Sequence, residues 1–144
     1  VPSTHGRTAL LLLLLVTAAA RTSEAVEYTI TELGELDQKP AYPAAMDIND
    51  FGQVVGSSGN TLVLWDPQNG MRDLGIVAGL PSRYRINNAG QIVGSYAGPG
   101  QGGFLYNGSI YTSLNYPGAS PTRAVGINDA GQVVGWYTSV AFLK

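Results

Sequence analysis

The one histidine of the 144-residue chain is His5, and cysteine is absent. Beyond the N-terminal stretch, a Ser-His-Asp or Cys-His arrangement therefore cannot be assembled, and a zinc site would have only carboxylates to draw on. Paired carboxylates alone can hydrolyse glycosides. Yet Asp50 and Asp129 occupy the same place in a repeated phrase where Asn88 also stands, which reads as turn chemistry rather than acid–base chemistry. Asp47-Ile48-Asn49-Asp50-Phe51-Gly52 has a faint calcium-loop spacing, but Arg85 and Gly126 replace Asp47 in the other copies and no bidentate Glu follows. No catalytic residue, metal site or cofactor is expected in this segment.

Binding residues are better supplied. Arg83 and Arg123 stand shortly before two copies of the phrase, just after Pro81 and Pro121. If the strands that follow line a central channel, the two guanidiniums sit near its mouth and can hold an anionic ligand. The glycine-rich loop Ser95–Gly103 is the longest insertion, and loops on a rigid scaffold often carry recognition. Tyr96 in that loop, with Trp136 and Tyr137 at the equivalent place in the third copy, offers aromatic faces for sugars. Trp65-Asp66 has the form of the WD dipeptide that ends propeller strands, and is read as aromatic packing between blades. Asn107-Gly108-Ser109 fits a glycosylation sequon and is read as a turn.

The element that positions these residues is written three times. Ile48-Asn49-Asp50-Phe51-Gly52-Gln53-Val54-Val55-Gly56 returns as Ile86-Asn87-Asn88-Ala89-Gly90-Gln91-Ile92-Val93-Gly94, and again as Ile127-Asn128-Asp129-Ala130-Gly131-Gln132-Val133-Val134-Gly135. A period of about 40 residues marks a repeat built from one supersecondary unit per copy. Met46/Ile48, Tyr84/Ile86 and Val125/Ile127 alternate with variable residues, the pattern of a strand with one apolar face. Asn-[Asp/Asn]-x-Gly predicts a type I turn closed by a left-handed glycine, at Gly52, Gly90 and Gly131. The second strand follows directly, and a third runs Leu62–Trp65, Gly103–Tyr106 and Ala141–Leu143. Asn107-Gly108 predicts a two-residue hairpin into a fourth strand over Ser109–Leu114, matching Met71–Leu74 in the first unit. The fragment Tyr28–Gly34 resembles a fourth strand without its own unit, of the kind that closes a ring.

Composition narrows the setting. His5 and Arg7 precede an apolar run from Ala9 to Val16, followed by small residues at Ala18-Ala19-Ala20 and Ser23-Glu24-Ala25. That is the layout of a secretory signal peptide over residues 1–25, leaving a β-repeat domain over 26–144. The run is shorter than the roughly 20 apolar residues of a membrane span. Beyond residue 25, nine of the ten carboxylates remain against six of the eight Lys and Arg, without a basic cluster. A nucleic-acid partner is therefore not expected.

The phrase I-N-[DN]-x-G-Q-[VI]-V-G, the strands Ala141-Phe142-Leu143 and Gly103-Phe104-Leu105, and the ending Asp73-Leu74-Gly75 together resemble the bacterial extracellular HAF-repeat family, with Glu32-Leu33-Gly34 matching more loosely. The resemblance covers about residues 28–144. The histidine that names the family is absent, with Val140, Gly103 and Val63 read at its places. The resemblance implies export and a repeat architecture, not a chemistry.

The sequence thus predicts an all-β protein of antiparallel four-stranded repeats, blades of an incomplete β-propeller, in which the third repeat is truncated. Its expected role is that of an exported binding or structural scaffold at or outside the cell surface, with carbohydrate or protein as ligand. The alternative is a fragment of a propeller-type glycan hydrolase or lyase whose catalytic residues lie in further repeats. A fragment of a longer protein is the favoured expectation, and a chain complete at Lys144 would have to self-assemble.

Overall fold

The computed structural model of the protein describes residues 27–34, 36, 43–76, 81–96, 102–138 and 140–144. The segment read as a signal peptide lies outside the described residues. The chain divides into two compact units, Val1–Ile30 and Thr31–Lys144. In the first, residues 27–30 are described and form no strand. The second holds every described strand.

The first sheet is β1 (Pro43–Ile48), β2 (Val54–Ser58), β3 (Thr61–Asp66) and β4 (Gly70–Ile76). The second is β5 (Pro81–Ile86), β6 (Ile92–Tyr96), β7 (Gly102–Tyr106) and β8 (Tyr111–Leu114). The third is β9 (Thr122–Ile127), β10 (Val133–Tyr137) and β11 (Val140–Leu143). Each is a meander of sequential antiparallel neighbours, in the orders β1-β2-β3-β4, β5-β6-β7-β8 and β11-β10-β9. Among the described residues there are eleven strands and no helix. The protein is all-β, built from four-stranded repeats with a three-stranded third copy, and the sheets do not close into a ring.

The sheets pack face to face, which explains the apolar doublet in each phrase. Ile92 and Val93 are both fully buried although they point to opposite faces. Ile92 joins Val55, Leu62, Leu64, Tyr84, Ile86 and Phe104 in a core between the first and second sheets. Val93 joins Leu114, Ala124 and Val133 in a separate core between the second and third. A sheet covered on both sides needs apolar residues in succession rather than in alternation.

The closing glycine of each phrase meets a close approach. A Cβ on Gly56 would run into the Ala44 carbonyl, and one on Gly94 into the rings of Tyr84 and Phe104. A Cβ on Gly135 would meet the Arg123 carbonyl and the Phe142 ring. By contrast, Gly52, Gly90 and Gly131 have φ of 75°, 73° and 75°, the left-handed turn positions the phrase predicts. The turn bonds repeat too: Gly52 N to Asn49 O and Gly90 N to Asn87 O, both at 3.0 Å.

Four local expectations are corrected. Pairing jumps from Asp47 to Ala45 in β1 and from Gly126 to Ala124 in β9, so Met46 and Val125 are bulge residues, not alternating ones. Asn107-Gly108 is not a two-residue hairpin. Tyr106 pairs with Tyr111, and Asn107 Oδ1 accepts the N–H groups of Ser109 and Ile110 at 3.3 and 3.0 Å, closing a four-residue loop. Finally, Trp65 and Tyr106 pair with Val54 and Ile92, which places Thr61, Gly102 and Val140 in register, not Val63, Gly103 and Val140. Tyr28–Gly34 also forms no strand, although Gly34 and Gly75 share a positive φ, 81° and 110°.

Candidate functional site

Arg83 lies on β5 and Arg123 on β9, in consecutive sheets. Arg83 precedes Ile86 by three residues and Arg123 precedes Ile127 by four. The bulge at Val125 absorbs the difference. Tyr84 pairs with Gly94 and Ala124 with Gly135, so each arginine directly precedes a matched position, Arg123 paired with Trp136 and Arg83 inside the register shift between Pro81 and Tyr84. Both arginines line one open cavity of about 440 Å³, together with Ser95, Ala124, Val125 and Trp136.

Trp136 pairs directly with Arg123 across the β9–β10 ladder. The Arg123 guanidinium carbon sits 5.5 Å from the Trp136 ring centroid, a cation–π contact that holds the cation beside an aromatic wall. Ser95 Oγ donates to the Ala124 carbonyl at 3.1 Å and ties the two sheets together at the cavity. Arg83 also lines a neighbouring cavity of about 250 Å³ with Met46, Tyr84 and Arg85. Arg85 is already engaged: it lies 4.0 Å from the Asp47 carboxylate and donates to the Met46 carbonyl at 3.3 Å.

Of the four residues singled out in the sequence, Arg83, Arg123 and Trp136 therefore share a cavity, whereas Tyr96 does not. Tyr96 packs against the core between the first two sheets. Its equivalent in the third sheet is Tyr137, because Tyr96 pairs with Pro81 and Tyr137 with Thr122. Trp136 matches Ser95 instead, one residue earlier and on the opposite face. Tyr137 is stacked on Tyr116, with centroids 3.9 Å apart and planes 3° from parallel, a pair with no trace in the repeat pattern.

The carboxylates are used structurally. Asp47 Oδ2 accepts the Ile86 N–H at 3.0 Å, joining β1 to β5. Asp50 and Asp129 flank Asn88, whose amide donates to Asp50 Oδ2 at 2.7 Å and to Asp129 Oδ2 at 2.9 Å. Asp66 closes the β3–β4 hairpin, accepting from Gln68 N, Asn69 N and Asn69 Nδ2 at 2.7–3.1 Å. The Asn69 side chain first, and the N–H groups around it, hold the Asp66 carboxyl below its ordinary value. Among the described residues no cluster of His, Cys, Asp and Glu is arranged for a metal ion. No helix among them is long and apolar enough to cross a membrane.

Comparison with protein-family models, with curated proteins and with solved structures found no match to the chain.

Proposed function

We propose that the protein is an exported β-repeat scaffold that holds an anionic ligand, specifically an acidic saccharide, in the cavity between its second and third repeats. The observation that carries the reading is the convergence of Arg83, Arg123 and Trp136, from two successive repeats, on one open cavity. Two guanidiniums supply charge-assisted hydrogen bonds to a carboxylate, and an indole supplies a flat apolar face to a sugar ring. Export rests on the basic, apolar and small-residue order of residues 1–25 and on the resemblance to extracellular HAF repeats.

Calorimetric titration with oligogalacturonate, alongside a neutral oligosaccharide of equal length, tests it. The acidic ligand is expected to bind and to weaken with salt, and Arg83→Ala is expected to cost about tenfold in Kd, or about 1.4 kcal/mol. Equal binding of the two ligands, or none by either, sinks the proposal.

A further inference from the structure

Arg83 lines two cavities. One, of about 440 Å³, it shares with Arg123 and Trp136 of the third repeat. The other, of about 250 Å³, it shares with Met46 of the first repeat and Arg85 of the second. The two cavities therefore meet at a single guanidinium-bearing side chain. Both also sit at irregularities in the first strands of the repeats. Pairing slips at Met46 in β1, at Val125 in β9, and in β5 between Pro81 and Tyr84, the interval that holds Arg83. Such a slip bends its strand and re-aims the neighbouring side chains, which opens space beside an otherwise regular ladder.

Positive charge gathers along the same line. Of the six Lys and Arg beyond residue 25, three (Arg83, Arg85 and Arg123) stand on β5 and β9. The whole chain carries a net charge of −2, so this concentration is local and does not follow from composition. No carboxylate belongs to the described lining of either cavity. One stands just behind the second. Asp47 Oδ1 lies 4.0 Å from Arg85 Nη1, with the two side chains 27% and 38% exposed. At that distance the pair lacks the short charge-assisted hydrogen bond that makes such pairs strong. Arg85 is thus held loosely, within reach of a ligand carboxylate that can replace Asp47.

Resting on the saccharide reading, we infer that the site continues past Arg83 into the second cavity, and that its ligand is an acidic oligosaccharide laid across the repeats rather than a single acidic sugar. Arg123 and Trp136 hold one part of the ligand, Arg83 holds the next, and Arg85 receives a carboxylate further along. A polymer with a carboxylate on every residue suits cations set along successive strands. A ligand with one carboxylate gains nothing from the second cavity. Asp47 tunes the last contact, because it competes with the ligand for Arg85.

Calorimetric titration of the chain with digalacturonate and with hexagalacturonate tests this, read as the ratio of the two Kd values. The longer ligand contains several adjacent residue pairs, which alone favours it about fivefold, and the unaltered chain is expected to prefer it about fiftyfold. Arg85→Ala is expected to bring that preference down to about fivefold, and Asp47→Asn to raise it about threefold. The asparagine keeps an oxygen for the Ile86 N–H, which Asp47 Oδ2 accepts at 3.0 Å. Asp73→Asn removes the same charge from β4, outside both cavities, and is expected to leave the ratio unchanged. Where Arg85→Ala loses its β-sheet circular dichroism, the shift in Asp47→Asn decides. Binding of hexagalacturonate alone meets the expectation, and its Kd then carries the comparison of variants. A preference of about fivefold or less in the unaltered chain overturns the inference, as does one that Asp47→Asn moves no more than Asp73→Asn does. Digalacturonate binding would in either case keep the saccharide reading, whereas binding of neither acidic ligand sinks both.

Discussion

The side-chain amide of Asn49 reaches the main-chain carbonyl of Asn87 at 3.1 Å, across 38 residues of sequence. The same amide donates to Gln53 Oε1 at 2.8 Å, while Asn49 Oδ1 accepts the N–H groups of Phe51 and Gln53 at 3.1 and 2.9 Å. One side chain therefore shapes its own turn and fastens the next repeat. This requires two donors and an acceptor on a short stem, which asparagine alone provides. The neighbouring position needs only an acceptor for the N–H of the preceding repeat, so aspartate and asparagine both serve, as Asp50, Asn88 and Asp129.

Asn87 repeats this arrangement in a buried setting, with amide bonds to Gln91 Oε1 at 2.8 Å and to Asn128 O at 3.0 Å. Asn87→Ala removes the acceptor of the half-buried Ala89 and Gln91 N–H groups together with the cross-repeat bond, and is expected to cost about 2 kcal/mol. Asn128, exposed in the third repeat, is expected to cost under about 1 kcal/mol when changed the same way. Urea unfolding of both variants checks the order. Equal losses would show that the cross-repeat bond adds nothing.

Asn88 lies between two carboxylates and donates to both. Asn88→Asp would place three carboxylates in a row and convert both bonds to repulsions. Because the row is exposed, the expected loss is about 0.5–1 kcal/mol and shrinks in high salt. Thermal melts at low and high salt measure it, and a salt-independent loss would point to backbone distortion instead.

Gly94 faces the Tyr84 and Phe104 rings, which meet edge to face at 5.8 Å. Gly94→Ala is expected to lose about 1–3 kcal/mol by overpacking and to perturb the near-ultraviolet signal of the aromatic pair. Gly108→Ala, with open space around its Cβ and a φ of 98°, should leave that signal unchanged.

Much of the fold was legible because the three phrases share their turn chemistry. Asn49, Gly52 and their equivalents state the hairpin, and the period states the unit. The closing glycine was not, since what excludes its Cβ is a carbonyl or ring brought close only by sheet pairing. The Met46 and Val125 bulges were hidden for the same reason: a strand's register depends on its partner, and an inserted residue leaves local alternation intact. The site was half legible. Proline followed by arginine marked Arg83 and Arg123, but the face that Tyr96 takes depends on a one-residue register that composition cannot reveal.

Asp66 supplies an acid-side test. Its carboxyl is depressed from an ordinary value of 3.8 by the Asn69 side chain first. A depressed carboxyl stabilises the fold above about pH 4, and that stability is lost as pH falls through the lower folded-state value. Asp66→Asn is expected to lower stability at neutral pH and to flatten the fall below about pH 4. Parallel acid-unfolding curves for the variant and the unaltered chain would show that the hairpin carboxylate contributes nothing to acid stability.

Tyr84 gives the alkaline counterpart. Its side chain is fully buried, and its hydroxyl has no hydrogen-bond partner among the described residues. Burial, with the nearby Tyr111 hydroxyl adding to it, pushes the Tyr84 phenol up from 10.0 to about 12. The unfolded chain then releases its proton first, so stability is present below about pH 10 and is lost as pH rises toward about 12. Tyr84→Phe removes both the unpaired hydroxyl and this proton. It is expected to raise stability at neutral pH by about 1 kcal/mol. It is also expected to reduce the alkaline loss, while Tyr111, raised to about 12 as well, retains its share. Denaturant midpoints at neutral pH and between about pH 9 and 12 measure both effects. A destabilised Tyr84→Phe would mean that the hydroxyl holds a partner, and an alkaline loss equal to that of the unaltered chain would mean that Tyr84 contributes nothing to it.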